Sequence, residues 1–241
     1  MKTKLFIRNL YFIPFFAIST AVLGLGSMVV SLWSGRGARW FASIWAKSNL
    51  VVSGAELKVE GLENIPPRSV QKAQGGVIIA SNHRSSADIA AVLAGLPLDV
   101  CWVTKDSLLR VPFIGWHLSR AHIPVARGSK GNAARLLEDG VRKIKDGASV
   151  VIFPEGTRNR GSNLLLPFKK GTFLLAQASG RPVYPVAITG SADIWPPHKL
   201  LPQTGKMTMR IGPPIDPTKY SDEDIMHLVN ETREATLRLL S

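Results

Sequence analysis

Two short stretches of this sequence gather residue types that do chemistry. In "SNHRSSAD", His83 and Asp88 stand with four residues between them, directly after the apolar run Val77 to Ala80. A carboxylate that holds one imidazole nitrogen fixes the tautomer and leaves the other nitrogen as a general base. On a regular helix, five positions turn the chain by roughly 140°, so the two side chains meet only if the chain turns before a helix begins. Asn82, Ser85 and Ser86 are turn and cap residues, and a helix starting at Ser85 or Ser86 satisfies that condition. The same residues also fit a capping box, with Ser85 as the cap and Asp88 three positions on. In that reading the carboxylate serves only the helix start and His83 is structural.

The second stretch is "VVIFPEGTRNRGSNLLLPFKKGT", Val150 to Thr172. A buried strand ends at Pro154, and Glu155, Gly156, Thr157, Arg158 and Arg160 then enter one loop together. Glycine lets the backbone approach a ligand closely, and arginine grips phosphate oxygens with paired donors. A solvated basic loop would account for Arg160, Lys169 and Lys170. It would not account for a Pro-Glu-Gly turn set directly behind a core strand.

These stretches need a frame. Apolar strand patterns occur at Gly76 to Ala80, Leu98 to Thr104, Ile123 to Ala126, Ser149 to Phe153 and Val183 to Ile188. Helical patterns lie between them at Asp88 to Ala94, Lys130 to Lys145 and Phe173 to Ala178. The alternation predicts an α/β layered fold with a largely parallel or mixed sheet flanked by helices, and His83 falls at the carboxyl end of its strand, where such sheets bind ligands. "AELKVEGLENIP" reads as a short exposed strand, "PPRSVQKAQGG" as a polar loop and "KMTMRIGPPI" as a late strand. "SDEDI" opens a final helix, with Ser221 and Asp224 as a capping box.

The chain has 241 residues, which fits one sizeable folded domain. A formal net charge of +13 points to an anionic partner, and the single cysteine, Cys101, excludes an intrachain disulfide and a Cys-rich zinc site. Between Arg8 and Arg36 the chain carries no charge and is long enough to cross a hydrocarbon core of about 30 Å. Next comes "ARWFASIWAKSNLVV", with aromatic and basic residues placed as in an interfacial helix or as in a core helix with a basic edge. The expectation is a two-helix membrane anchor over residues 1–54 and a catalytic-type domain over 55–241. Basic residues flank the apolar segment on both sides, so charge leaves its orientation open.

In their order along the chain, these motifs resemble the glycerolipid acyltransferase family, in particular the 1-acyl-sn-glycerol-3-phosphate acyltransferases of bacterial type. The family's N-H-x-x-x-x-D block is similar to Asn82, His83 and Asp88. Its second block resembles "KDSLLRVPFIGWHLSRAHIPVAR", with Lys105, Pro112, Gly115 and Arg127. The F-P-E-G-T-R block stands intact at Phe153 to Arg158, and a proline in an apolar strand is matched by Pro185 in "VYPVAI".

The resemblance implies that His83 deprotonates the sn-2 hydroxyl of a lysophospholipid and that Asp88 orients the imidazole. It also implies that Lys105, Arg127, Glu155, Gly156, Thr157 and Arg158 form the substrate-binding set around a glycerol phosphate. Expected substrates are lysophosphatidic acid and an acyl thioester, acyl-CoA or acyl carrier protein. No cofactor is expected, and no metal, since His117, His122, His198 and His227 match no ligand pattern. The implied location is the cytoplasmic face of the inner membrane, with membrane lipids as partners and a monotopic or single-span anchor. Three other readings stand beside this one. The acceptor is another lysophospholipid, a lyso-ornithine lipid or glycerol 3-phosphate; the protein binds nucleic acid, which only its charge supports; or it is a membrane scaffold without activity.

Overall fold

The structure, a computed structural model, describes residues 2–105, 109–110, 114–125, 131–196, 199, 201–221 and 223–241; the side chains of 2–9, 105, 114–117, 125, 131–136 and 172 lie outside that description. The chain opens with two long helices, α1 (Lys2–Val30) and α2 (Gly35–Ser53), joined by a tight turn. Ser34 caps α2 by accepting from Gly37 N, and Gly54 ends it in the left-handed conformation that a Cβ disfavours.

Behind the helices stands one seven-stranded sheet in the order β1-β7-β6-β2-β5-β3-β4. The strands are β1 (Ala55–Glu60), β2 (Ile78–Ser81), β3 (Val100–Lys105), β4 (Ile123–Val125), β5 (Ser149–Ile152), β6 (Val183–Thr189) and β7 (Gly205–Ile211). Among the pairings of these described strands, β6–β7 is antiparallel and the others are parallel. The central strands β2 and β5 are buried at every position, as expected for short, continuously apolar parallel strands covered on both faces.

Alternate residues of β2, with Val77 just before it, feed two cores. Val77 and Ile79 face one shared by α2, α4 (Ala87–Gly95), β1 and β7, including Ala46, Leu50, Val92 and Met209. Ile78 and Ala80 face the other, with Phe173, Leu175, Leu228 and Val229 of α5 (Phe173–Ser179) and α6 (Ile225–Leu240). That period of two, read against helices on both sides, is the physical content of the layered architecture.

One expectation changes here. The segment "PPRSVQKAQGG" is not all loop, because α3 (Arg68–Gln74) runs through it. Pro67 presets the helix entry, and Gln71, although polar, is buried with its Nε2 donating to Pro66 O at 2.7 Å. Its polar composition concealed a helix whose inner position is an amide. Helix α2 packs directly on the sheet. Ala46 and Leu50 of α2 belong to the sheet core, and Arg39, 8% exposed, is fixed to Asp99 through Nε and Nη2, both at 2.6 Å.

Helix α1 lies outside α2 and runs unbroken through Pro14. Gly26 permits the close crossing, since a Cβ there would come within 2.7 Å of the Phe41 ring. Ser27 Oγ donates to Ala38 O at 2.7 Å, and Trp45 Nε1 donates to Thr20 Oγ1 at 2.9 Å. The outer stripe of Tyr11, Ile18, Val22, Leu25 and Val29 remains exposed. Leu10–Val30 is long and apolar enough to cross a membrane.

Candidate active site

Strand β2 ends at Ser81, and the chain turns through 82–86 before α4 begins at Ala87. The turn is what brings His83 and Asp88 together. His83 Nδ1 lies 2.8 Å from Asp88 Oδ2, with Asp88 fully buried and the His83 side chain 12% exposed. The same Oδ2 accepts from the backbone N–H groups of Arg84 at 2.7 Å and Ser85 at 2.8 Å. Asp88 therefore satisfies the chain entering the helix and also holds the imidazole, so the two readings of this carboxylate coexist in one geometry. The reciprocal half of a strict capping box is missing, because Ser85 Oγ donates to Trp195 O at 2.7 Å and accepts from Ala87 N.

Facing a carboxylate acceptor, Nδ1 is assigned the proton, and Nε2 keeps its lone pair. Nε2 has no hydrogen-bond partner among the described residues. One imidazole face is covered by Phe153, with centroids 3.9 Å apart and planes at 12°, and Trp102 stacks behind Phe153 at 5.6 Å. The ring is thus held at one nitrogen and on one face, with the other nitrogen left for chemistry.

The loop after β5 is tied to this turn by buried polar groups. Glu155, 3% exposed, accepts from His83 N at 2.7 Å through Oε1 and from Leu166 N at 2.9 Å through Oε2. Burial pushes its carboxyl above the usual carboxylate range, and the two amides, with His83 and Arg84 nearby, pull it partly back. Asn159 N donates to His83 O at 2.7 Å, and Arg84 reaches Gly161 O and Asn163 O. On the other side Asn82, fully buried, continues the sheet with its side chain. Its Nδ2 donates to Ile188 O at 3.0 Å, and its Oδ1 accepts from Ile188 N at 2.7 Å.

Gly156 sits at φ +70°, and a Cβ there would come 2.7 Å from Lys169 Nζ. The glycine thus allows the Lys169 side chain to lie across the turn. Thr157 and Arg158 follow on the exposed side of the same loop, and the Arg158 guanidinium has no hydrogen bond or ion pair among the described residues.

The residues expected at the site distribute as follows. His83, Asp88, Gly156, Thr157 and Arg158 share the carboxyl edge of the sheet. Glu155, expected in the substrate-binding set, has both oxygens engaged by backbone amides and lies behind that edge as a brace. Lys105 ends β3 on the same edge with its side chain outside the described set, and Pro112 and Arg127 lie outside the described residues. Sequence reasoning did not find the stacking role of Phe153 and Trp102, the strand-like bonding of Asn82 or the position of Lys169. A glycine followed, in one loop, by two adjacent lysines was the available signal for the last of these.

Residues 56–189 match the model of the Acyltransferase family. The chain is 32% identical over 158 residues to a chloroplastic 1-acyl-sn-glycerol-3-phosphate acyltransferase of Brassica napus, covering 65% of this chain and 44% of that protein. It is 31% identical over 184 residues to the Saccharomyces cerevisiae protein of the same description, covering 75% and 58%. The Borreliella burgdorferi protein so described is 30% identical over 195 residues, covering 80% and 75%. The chain thus spans about half the length of the first two relatives. The crystal structure of the 1-acyl-sn-glycerophosphate (LPA) acyltransferase of Thermotoga maritima superposes with a TM-score of 0.77 at 25% identity, covering 99% of this chain and 95% of that one.

Proposed function

We propose, for a chain that belongs to the acyltransferase family, that it moves a fatty acyl group from a thioester to the sn-2 hydroxyl of 1-acyl-sn-glycerol 3-phosphate, giving phosphatidic acid. The observation that carries this reading is the imidazole held through Nδ1 by Asp88, with Nε2 unengaged, beside a loop presenting Arg158.

His83 Nε2 takes the proton of the acceptor hydroxyl as its oxygen attacks the thioester carbonyl. A C–O bond forms, and the carbonyl becomes a tetrahedral oxyanion. Its collapse breaks the C–S bond, and the departing sulfur takes the proton back from the imidazolium. Asp88 stabilises that imidazolium between the two transfers, so no acyl-enzyme is needed. Arg158 faces the acceptor phosphate with paired donors. Glu155 acts through His83, whose backbone it fixes, and Phe153 sets the plane of the ring.

The acceptor and product are amphiphiles of one leaflet, whereas acyl-CoA or acyl carrier protein arrives from the cytosol. The exposed apolar stripe of α1 supports a membrane anchor, either a monotopic hairpin with α2 or a single span, and the cytosolic origin of the donor assigns the site to the cytoplasmic face of the inner membrane. Phe16 of α1 meets Trp195 edge-on at 6.1 Å, and Trp195 O accepts from Ser85 in the turn that carries His83. The apolar helix therefore reaches the catalytic loop through two contacts.

The test is acyl transfer to lysophosphatidic acid by detergent-purified protein, with acyl-CoA and acyl carrier protein offered separately, beside a folded His83→Ala variant. Phosphatidic acid made by the parent and lost in the variant is expected. A parent inactive with both donors defeats the acceptor assignment, and a fully active variant defeats the base assignment.

A further inference from the structure

A second cleft lies at the opposite edge of the sheet from His83. It occupies about 600 Å³ between α2, α3 and the end of α4, and it includes Leu98 and Asp99 before β3 and Gly147 before β5. Its rim carries Arg36, Lys47, Arg68 and Lys72, all exposed. Arg39 also lines it, but its charge is spent on Asp99, the single carboxylate there. Arg36 is held by Asp99 at 3.4 Å and donates through Nη2 to Asp146 O at 2.9 Å, and Arg68 donates to Pro97 O at 3.3 Å. Lys47 and Lys72 have no polar partner among the described residues. Ile44, Leu93, Leu96 and Leu98 form the apolar part of the floor, beside the buried Gln71 and Arg39.

A basic rim over an apolar floor fits an anion that carries a hydrocarbon chain. It does not fit a free anion, which gains nothing from the floor, or a nucleic acid, which requires an extended basic track with exposed bases to stack on. The surroundings identify the source. Trp40, 59% exposed, forms part of the cleft wall, and Ser34 and Gly37 bring the α1–α2 turn into it. That turn exposes Leu32 and Trp33, the latter at 78%, where the apolar outer stripe of α1 ends. Indoles beside lysines at the end of an apolar helix are the arrangement of a membrane interface. The mouth of the cleft is continuous with that surface.

We infer that this cleft binds one anionic phospholipid, with its phosphate among Arg36, Lys47, Arg68 and Lys72 and its chain on the apolar floor beside Trp40. The site is separate from the acceptor site, since the sheet stands between them. It orients the protein on an anionic leaflet without taking part in the reaction.

The experiment is native mass spectrometry of the full chain released from detergent, titrated with phosphatidylglycerol, phosphatidylcholine or inorganic phosphate. The parent is expected to retain one phosphatidylglycerol in preference to phosphatidylcholine. The Lys47→Glu/Lys72→Glu variant is expected to bind it about twenty-five-fold more weakly, the loss of two headgroup cations at about fivefold each. The control Lys58→Glu/Lys206→Glu makes the same change in net charge on exposed residues of β1 and β7, and its binding is expected to stay within about twofold of the parent. Should the double reversal melt early, Lys72→Ala is measured in its place, with about a fivefold loss expected. Equal losses in the cleft and control variants, equal retention of both lipids, or displacement of the lipid by equimolar inorganic phosphate would each overturn the proposal. Acyl transfer to detergent-dispersed lysophosphatidic acid is read in parallel and is expected to be unchanged, which separates failure of this site from failure of the activity.

Discussion

The two edges of the sheet both gather cations, yet they use them differently. At the amino edge Arg39 is buried, and its guanidinium is taken up by Asp99 and by Ala121 O. At the carboxyl edge Arg158 is exposed and without a partner among the described residues, while the buried charges behind it are carboxylates, Asp88 and Glu155, that hold backbone. A charge sealed against its counterion contributes to structure, and one left at a loop tip by a buried brace is available to a ligand. Burial and partner, rather than residue type, separate the two arginines.

Breaking the carboxyl edge at its centre should have the largest effect. Asp88→Asn preserves shape but removes the charge that stabilises the imidazolium, and acyl transfer is expected to fall about 10²- to 10⁴-fold in kcat with KM little changed. A stopped assay with saturating acceptor measures this. If kcat survives, Asp88 serves only the helix start.

Glu155→Gln tests the brace. Two backbone N–H groups face two carboxylate oxygens, and an amide can accept from only one of them. The other amide then meets a donor, and about 1–3 kcal/mol of stability is expected to be lost. A reduced melting temperature together with a reduced kcat is the expected pair of results. A rise in acceptor KM alone would instead put Glu155 in contact with substrate.

The arginine comparison is sharpened by truncating each side. Arg39→Ala leaves the half-buried Asp99 with only the exposed Arg36 at 3.4 Å and is expected to cost about 2 kcal/mol of stability, less than for a fully buried pair because Asp99 is 16% exposed. Arg158→Ala should leave the melting temperature unchanged and raise the acceptor KM about tenfold or more, through loss of charge-assisted bonds. If the two variants behave alike, burial is not what distinguishes the edges.

The smallest effect belongs to the sheet between the edges. Cys101 of β3 is fully buried, and burial pushes its thiol up to about 11 from 9.0. Above pH 9 the unfolded thiol releases its proton while the native one keeps it. Its contribution is therefore whole below pH 9 and is lost as pH rises through about 11. Cys101→Ser should flatten the decline in melting temperature over that interval. Alkylation of the native parent at pH 8 should be negligible, in contrast to the unfolded chain.

The strands were readable in the sequence because β2 and β5 are short apolar runs bounded by turn residues, a pattern fixed by burial on both faces. Helix α3 was not, since its single inward residue, Gln71, is polar. The candidate pair His83 and Asp88 was visible through its turn residues. Its stacking partner was not, because a phenylalanine ending a core strand looks the same whether it packs on leucine or on imidazole.

The sequence by itself therefore determined the order of the strands, the apolar N-terminal segment and the residue types delivered at two strand ends. Those properties depend on neighbours within a few positions, through side-chain period and turn chemistry. Only the tertiary structure decided that Glu155 braces His83 across 72 positions, that Asn82 bonds Ile188 across 106, and that Arg36, Lys47, Arg68 and Lys72 share one cleft. Hydrogen bonds act over about 3 Å, and which distant groups come that close is set by how the layers pack.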